Sequence, residues 1–370
     1  MLEIVNLSHG EIVNHTYGAE TADALTLEVI GLGRNSDEIT VNGVPAQRSG
    51  EMFKAKIALN KADNDIVVKA CGNRGTASRE IKVKWDKQSF KRINFCIDDH
   101  IYCFNEVAKS RPKSIFDHFY FKKMRELYEK YQVCTTLNLF FEDARDGFTL
   151  SEFPDIYRQE FEDNAHWLKL AFHARMEFPD RIYQNAEPET VMADYEQVEN
   201  EIRRFAGEKA LIAPPNIHWS MVKTSALPLL RAKGARFLGG LFFEGQTRIG
   251  ESASTQLACD GGYFANEENS LMVQQHKVWH DYRCDITMGL ENLVLNLEPL
   301  EQLDGKLKAL FSDPANQTLH MLTHEQYCFP FYSSYLPDHF ERMELMGKRA
   351  QEYGYKFVFF NEGFLGNPNE

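Results

Sequence analysis

The sequence lacks any apolar run near the roughly 20 residues that a bilayer crossing requires; runs such as Phe237 to Phe243 and Phe357 to Phe360 are far shorter. No transmembrane helix is expected. Positive charge is also scarce: 41 Lys and Arg stand against 54 Asp and Glu, for a formal net charge of -13. No Lys/Arg cluster exceeds a pair, so phosphate backbones and anionic lipid surfaces are repelled, and neither nucleic acid nor membrane is an expected partner. The first residues, Met-Leu-Glu-Ile-Val-Asn, offer neither a basic n-region nor an apolar h-region. The expectation is a cytoplasmic protein, or an exported one whose signal has been removed. Cysteines number seven, at 71, 96, 103, 134, 259, 284 and 328, with no C-x-x-C pair for zinc or redox chemistry. They suit the role of reduced, mostly buried, small apolar residues.

What is present is an ordinary globular composition, 43% hydrophobic and 26% charged, over 370 residues. That length allows two units and a core able to hold a pre-organised site. Short β-rich segments separated by turn residues fill the first part: Ala24–Ile30, Glu38–Val41, Met52–Ala58, Asp65–Ala70 and Arg79–Trp85. Asn42-Gly43 is a tight-turn dipeptide, and Phe53-Lys54-Ala55-Lys56-Ile57 alternates with the two-residue period of a half-buried strand. These features predict a small antiparallel sandwich over residues 1–87. The runs Ile39 to Ala46, Met52 to Leu59 and Asn64 to Ala70 resemble bacterial immunoglobulin-like modules attached to carbohydrate-active enzymes.

After Lys87 the pattern changes to strands alternating with amphipathic helices, the mark of βα units and a parallel sheet. Strands are predicted at Ile93–Ile97, Cys134–Phe141, Trp167–Phe172, Ala210–Ala213, Ala235–Phe243, Leu293–Leu297, Thr318–Leu322 and Lys356–Phe360. Helices are predicted at Phe116–Tyr131, Ser151–Ala165, Glu189–Ala206, Met221–Lys233, Leu300–Phe311 and Pro337–Tyr353. Within Glu189–Ala206 the apolar residues Val191, Tyr195, Val198, Ile202 and Phe205 keep helical spacing, so one stripe turns inward. About eight such repeats fit an α/β barrel, a (β/α) barrel of the distorted TIM type, over residues 88–370. Ile249–Asp285 breaks the rhythm as a long insertion.

In such barrels the chemistry sits where strands end, so polar residues that follow apolar runs are the informative ones. Ile93 to Ile97 ends in Asp98-Asp99-His100. Neighbouring carboxylates at i and i+1 point different ways, which lets one hold a metal while the other handles a proton. Taken alone, the pair is slightly better read as a cap on the helix that follows. Leu168 to Phe172 ends in His173, with Glu177 and Asp180 following; imidazole and carboxylate together suit zinc and related ions. Ala210–Ala213 leads through Pro214-Pro215 to Asn216-Ile217-His218-Trp219, where Trp219 could stack on a sugar face or pack in the core. The run His320 to Thr323 ends in His324-Glu325. A single metal-centred site accounts for all four strand ends at once.

These residues resemble the NodB-homology domain of polysaccharide deacetylases, carbohydrate esterase family 4, over most of Lys91 to Tyr327. Phe95-Cys96-Ile97-Asp98-Asp99 is similar to the family's first motif, which implies Asp98 as general base and Asp99 as metal ligand. The second motif has two histidines four residues apart; His173 matches the first, while Glu177 stands at the second place, so Glu177 and His218 both qualify as third ligand. The third motif's Arg-Pro is echoed by Ala213-Pro214-Pro215 without the Arg, and its roles are not carried over. Leu322-Thr323-His324 matches the fifth, implying His324 as general acid. The fourth has no match, though Asp260-Gly261-Gly262-Tyr263 lies in its region. The pair His276 and His280 has i, i+4 spacing but follows no apolar strand, and is taken as mainly surface.

The resemblance implies a hydrolase that removes acetyl groups, amide or ester, from a carbohydrate, using a divalent metal ion, expected to be zinc. Trp219 and Glu325 are the expected substrate contacts. Two alternatives stand beside it. One is a glycosidase with a carboxylate pair drawn from Glu142, Asp143, Glu244 and Glu325; the other is a carbohydrate-binding protein without turnover.

Overall fold

The computed structural model describes residues 2–179, 181–240 and 277–359. Contacts divide the described residues into two units, one built from 2–89 with 278–282, the other from the described residues of 90–277 and from 283–359.

Two antiparallel-rich sheets make the first unit. One orders Leu2–Ile4, Leu25–Gly33, Met52–Leu59 and Gln47–Ser49; the other orders Ile12–Val13, Gly75–Trp85, Asp63–Gly72, Glu38–Val41 and Val44–Pro45. Met52–Leu59 alternates exposed and buried residue by residue, so Phe53, Ala55, Ile57 and Leu59 join Val29, Val68 and Trp85 in one apolar core. Glu38–Val41 turns back onto Val44–Pro45 through Asn42 and Gly43, at φ 48° and 81°. Two successive positive φ values are what a two-residue hairpin needs, and Asn-Gly supplies them at little steric cost.

The second unit is a curled parallel sheet with helices. Its strands run in the order Leu168–Ala174, Thr135–Phe140, Arg92–His100, Thr318–His324, Ile286–Val294 and Phe237–Gly240, with Lys356–Phe357 added beside Arg92 and Ile93. The central strand Arg92–His100 is buried along its whole length, as a parallel strand covered on both faces should be. The predicted strand at Ala210–Ala213 is reduced to a single bridge, Leu211 to Leu170. That segment still joins the two sheet edges. Ile212 N–H donates to the Leu170 carbonyl at 3.0 Å, and the Pro215 carbonyl accepts from Gly239 N–H at 2.6 Å. The two prolines at 214 and 215 remove the donors that a longer ladder would use.

Leu293–Leu297 also differs from expectation. The strand runs earlier, over Ile286–Val294, and Leu295–Leu297 is a 3-10 turn. Tyr102–Ser110 is a helix that the apolar pattern did not announce. Val278–Asp281, expected inside the insertion, is a short strand of the first unit, where Trp279 bridges Glu11. His280 is accordingly buried in a strand, not on a surface helix. His276, Asp180, Glu244 and the Asp260 to Tyr263 segment lie outside the described residues.

Candidate metal centre

The central strand delivers Asp98 and Asp99 to one cavity. Its register against Thr135–Phe140 shifts between Ile97 and His100, and Asp99 adopts φ 60°. A left-handed residue at a bulge re-aims its side chain. Both carboxylates therefore line the same cavity of about 470 Å³, contrary to the divergence that i and i+1 spacing suggests. Neither aspartate caps the next helix.

Asp98 is held by amides. Asn138 Nδ2 donates to its Oδ1 at 2.7 Å and Asn216 Nδ2 to its Oδ2 at 2.6 Å, while Asn138 Nδ2 also reaches Asn216 Oδ1 at 2.6 Å. Each carboxylate oxygen thus has an N–H donor.

Asp99 is held by imidazoles. Its Oδ1 lies 3.1 Å from His173 Nε2 and 3.2 Å from His218 Nδ1, and the two ring nitrogens are 3.2 Å apart. Gln326 Nε2 donates to the other oxygen at 2.7 Å. All three residues are buried. Hydrogen bonding cannot satisfy this triangle, since two ring N–H groups supply protons for at most two of its three edges. Three ligands each about 2.0 Å from one tetrahedral ion stand about 3.3 Å apart, close to the spacing seen. The residues present therefore fit a divalent cation. Burial acts to raise the Asp99 carboxyl, but hydrogen bonds from His173 and His218 and the histidine charge outweigh it and hold it well below the usual range. Burial would lower His173, but the charge of Asp98 and the hydrogen bond to Asp99 raise it; for His218 burial prevails and its pKa is lowered.

His324 ends the strand beside Asp98 and shares the cavity. Its Nδ1 lies 2.9 Å from Asn296 Oδ1, which fixes the ring and leaves Nε2 as the nitrogen not engaged there. Glu177 and Trp219 also line the cavity, and Arg181 stacks 5.1 Å from the Trp219 ring centre. Glu177 is not a member of the converged triad, whereas His218 is.

Glu325 is placed elsewhere. It is fully buried and accepts backbone N–H bonds from Ile101, Tyr102 and Cys103 at 2.7 to 2.8 Å, with His100 Nδ1 at 3.2 Å. It caps the Tyr102–Ser110 helix from across the fold and is not among the residues that line the cavity, where a substrate contact was expected. The same residues, His100, Cys103 and Glu325, form a second compact group of potential ligands. Three N–H dipoles at a helix N-terminus already compensate that carboxylate and disfavour a cation beside it.

Asn138, Asn216, Asn296, Gln326 and Glu291 were not anticipated. Asn138 had a signal: an amide in the otherwise apolar run Leu137 to Phe141 must be paired once buried.

No family model matches the chain, and no curated protein is similar to it. Among solved structures, the chain is similar to a putative alpha-galactosidase from Bacteroides fragilis at 10% identity, over 99% of this chain and 79% of that one, with a TM-score of 0.26. It is similar to a GH5 xyloglucanase from Bacteroides ovatus at 11% identity, over 95% and 99% of the two chains, with a TM-score of 0.26. It is similar to the fibronectin(III)-like modules of Clostridium thermocellum CbhA at 13% identity, over 24% of this chain and 98% of that one, with a TM-score of 0.18. Likenesses this distant carry neither substrate nor chemistry to this chain.

Proposed function

We propose that the second unit is a metal-dependent hydrolase of the polysaccharide deacetylase type, removing acetyl groups from a carbohydrate. The observation that carries this reading is the triangle of Asp99 Oδ1, His173 Nε2 and His218 Nδ1, with all edges at 3.1 to 3.2 Å. Asp99, His173 and His218 would hold the divalent ion, zinc by the character of two imidazoles and one carboxylate, and it would supply Lewis acidity there.

The chain's own groups divide the remaining work. Asp98, held by its two amide donors, takes the proton from the attacking water. His324, oriented by Asn296, gives its Nε2 proton to the departing amine, so that acetate and a free amine are the products. Trp219, on the cavity wall, offers a ring face to a sugar. The glycosidase reading loses support from its own candidates: Glu142 and Asp143 do not line the cavity, Asp143 pairs with Arg145 at 2.7 Å, and Glu325 caps a helix.

The test is metal content by elemental analysis together with acetate release from N-acetylglucosamine oligomers. About one zinc per chain with acetate release is expected. Reducing-end release without acetate would favour a glycosidase, and a protein that purifies without metal and releases nothing would leave a binding role.

A further inference from the structure

The cavity runs into a stretch of sequence that the mechanism leaves unused. From Gln326 to Pro337 the chain reads Gln-Tyr-Cys-Phe-Pro-Phe-Tyr-Ser-Ser-Tyr-Leu-Pro, five aromatics and no charge in a protein that is 26% charged. So apolar a stretch ordinarily folds inward. Here only part of it does. Phe329 is buried, and Tyr327 and Tyr332 line the cavity with ring centres 5.2 Å apart. Phe331, the residue before Tyr332, is 51% exposed, and Tyr335 is 39% exposed.

The exposed rings are held in place. Phe331 packs 5.3 Å from the Tyr102 ring and 5.2 Å from Phe329, and Phe119, itself 42% exposed, lies 5.6 Å from Phe329. The Arg145 guanidinium stands 3.7 Å from the Tyr102 ring centre and 4.1 Å from that of Phe331, and it is fixed in turn by Asp143 at 2.7 Å. Single exposed hydrophobics need no explanation, but a contiguous, immobilised group of them marks a binding surface. Aromatic rings suit the apolar C–H face of a pyranose, and the exposed Ser333 and Ser334 add hydroxyls for its edge. An uncharged stretch has no cation of its own for an acidic polymer. The surface joins the cavity at Tyr332, so one chain of sugars could occupy both.

We propose that Phe331 and the aromatic surface around it form a remote subsite for an uncharged saccharide chain whose reacting unit lies in the cavity, which makes the substrate a polymer or long oligomer. This rests on the deacetylase reading for what occupies the cavity. Rings already fixed by Arg145 and Phe329 lose little freedom on binding, which favours affinity.

The test uses the zinc-loaded full chain, with calorimetric binding and acetate release measured on the disaccharide and the hexasaccharide of N-acetylglucosamine. The wild type should bind the hexasaccharide at least about tenfold more tightly than the disaccharide. Phe331→Ala should weaken hexasaccharide binding about tenfold and disaccharide binding less than about twofold, and Phe331→Trp should restore the hexasaccharide. Equal weakening on both lengths would mean that the ring only supports the cavity, and it overturns the subsite, as does a wild type that binds both lengths equally. A self-associated wild type that Phe331→Ala converts to monomer also overturns it, making the surface a contact between copies. A length preference that depends on Phe331 without any acetate release keeps the subsite and overturns the deacetylase reading. A wild type that binds neither saccharide overturns both.

Discussion

Asp98 and Asp99 face one cavity with opposite partners, amide N–H groups on the first and two imidazoles on the second. Adjacent residues of identical chemistry should therefore fail in different ways. Asp98→Asn is expected to lower acetate release by about 10²-fold to 10⁴-fold while leaving one metal per chain, because it removes a proton acceptor and no ligand. Asp99→Asn is expected to lose the metal, since an amide is a poorer ligand and cannot neutralise a dication. Rate and metal stoichiometry measured on both variants check this. Loss of metal from Asp98→Asn would show that the roles were divided wrongly.

Stability in acid should be governed in part by a buried imidazole outside the ligand triangle. His339 is 1% exposed with neither ring nitrogen hydrogen-bonded, and burial, then the charge of His324, bring its pKa down to about 3. An unfolded imidazole titrates near 6.5, so on acidification the unfolded chain takes up this proton first. Between about pH 6.5 and pH 3 the unfolded state binds more protons than the folded state, and stability falls as pH falls. His339→Phe removes that contribution. The drop in Tm between pH 7 and pH 4.5, measured on chelator-treated protein, should be smaller in the variant than in the wild type; equal drops would refute it.

Glu325 should behave as a structural residue despite its place next to His324 in sequence. Its carboxylate takes three backbone N–H groups that would otherwise be orphaned at the start of Tyr102–Ser110. Glu325→Ala is expected to cost about 3 kcal/mol by leaving those donors and His100 unpaired. Denaturant unfolding measures the cost, and metal content per folded chain should not change.

The strand ends were legible because an apolar run closed by a charged residue is a one-dimensional signal. Arg92–His100, Thr135–Phe140, Leu168–Ala174 and Thr318–His324 all fall where periodicity put them, and they carry Asp98, Asp99, His173 and His324. The convergence of Asp99, His173 and His218 was not readable from spacing, because the bulge before His100 and the φ of 60° at Asp99 decide where each side chain goes. Glu325 misled for a related reason. It follows a strand just as His324 does, but the turn Glu325–Cys328 carries it toward the helix N-terminus, and only tertiary structure shows which way a turn leads. Asn216 and Glu291 were hidden differently, since their message lies in partners on other strands, Asp98 above all.

The third ligand remained open between Glu177 and His218 in the sequence, and the geometry gives the two residues different expected phenotypes. His218 Nδ1 stands 3.2 Å from both Asp99 Oδ1 and His173 Nε2, whereas Glu177 lines the cavity outside that group. Replacing one of three protein ligands usually costs far more affinity than changing a group that surrounds them. His218→Ala is expected to weaken zinc binding by more than about 100-fold, and Glu177→Gln by less than about tenfold. Competition with a chromophoric chelator measures both. A thermal scan adds a second check, because a metal that binds only the folded chain raises Tm with its concentration. Wild type and Glu177→Gln should gain Tm on zinc addition, and His218→Ala should not. The reverse order would make Glu177 the third ligand and leave His218 as a partner of Asp99 alone.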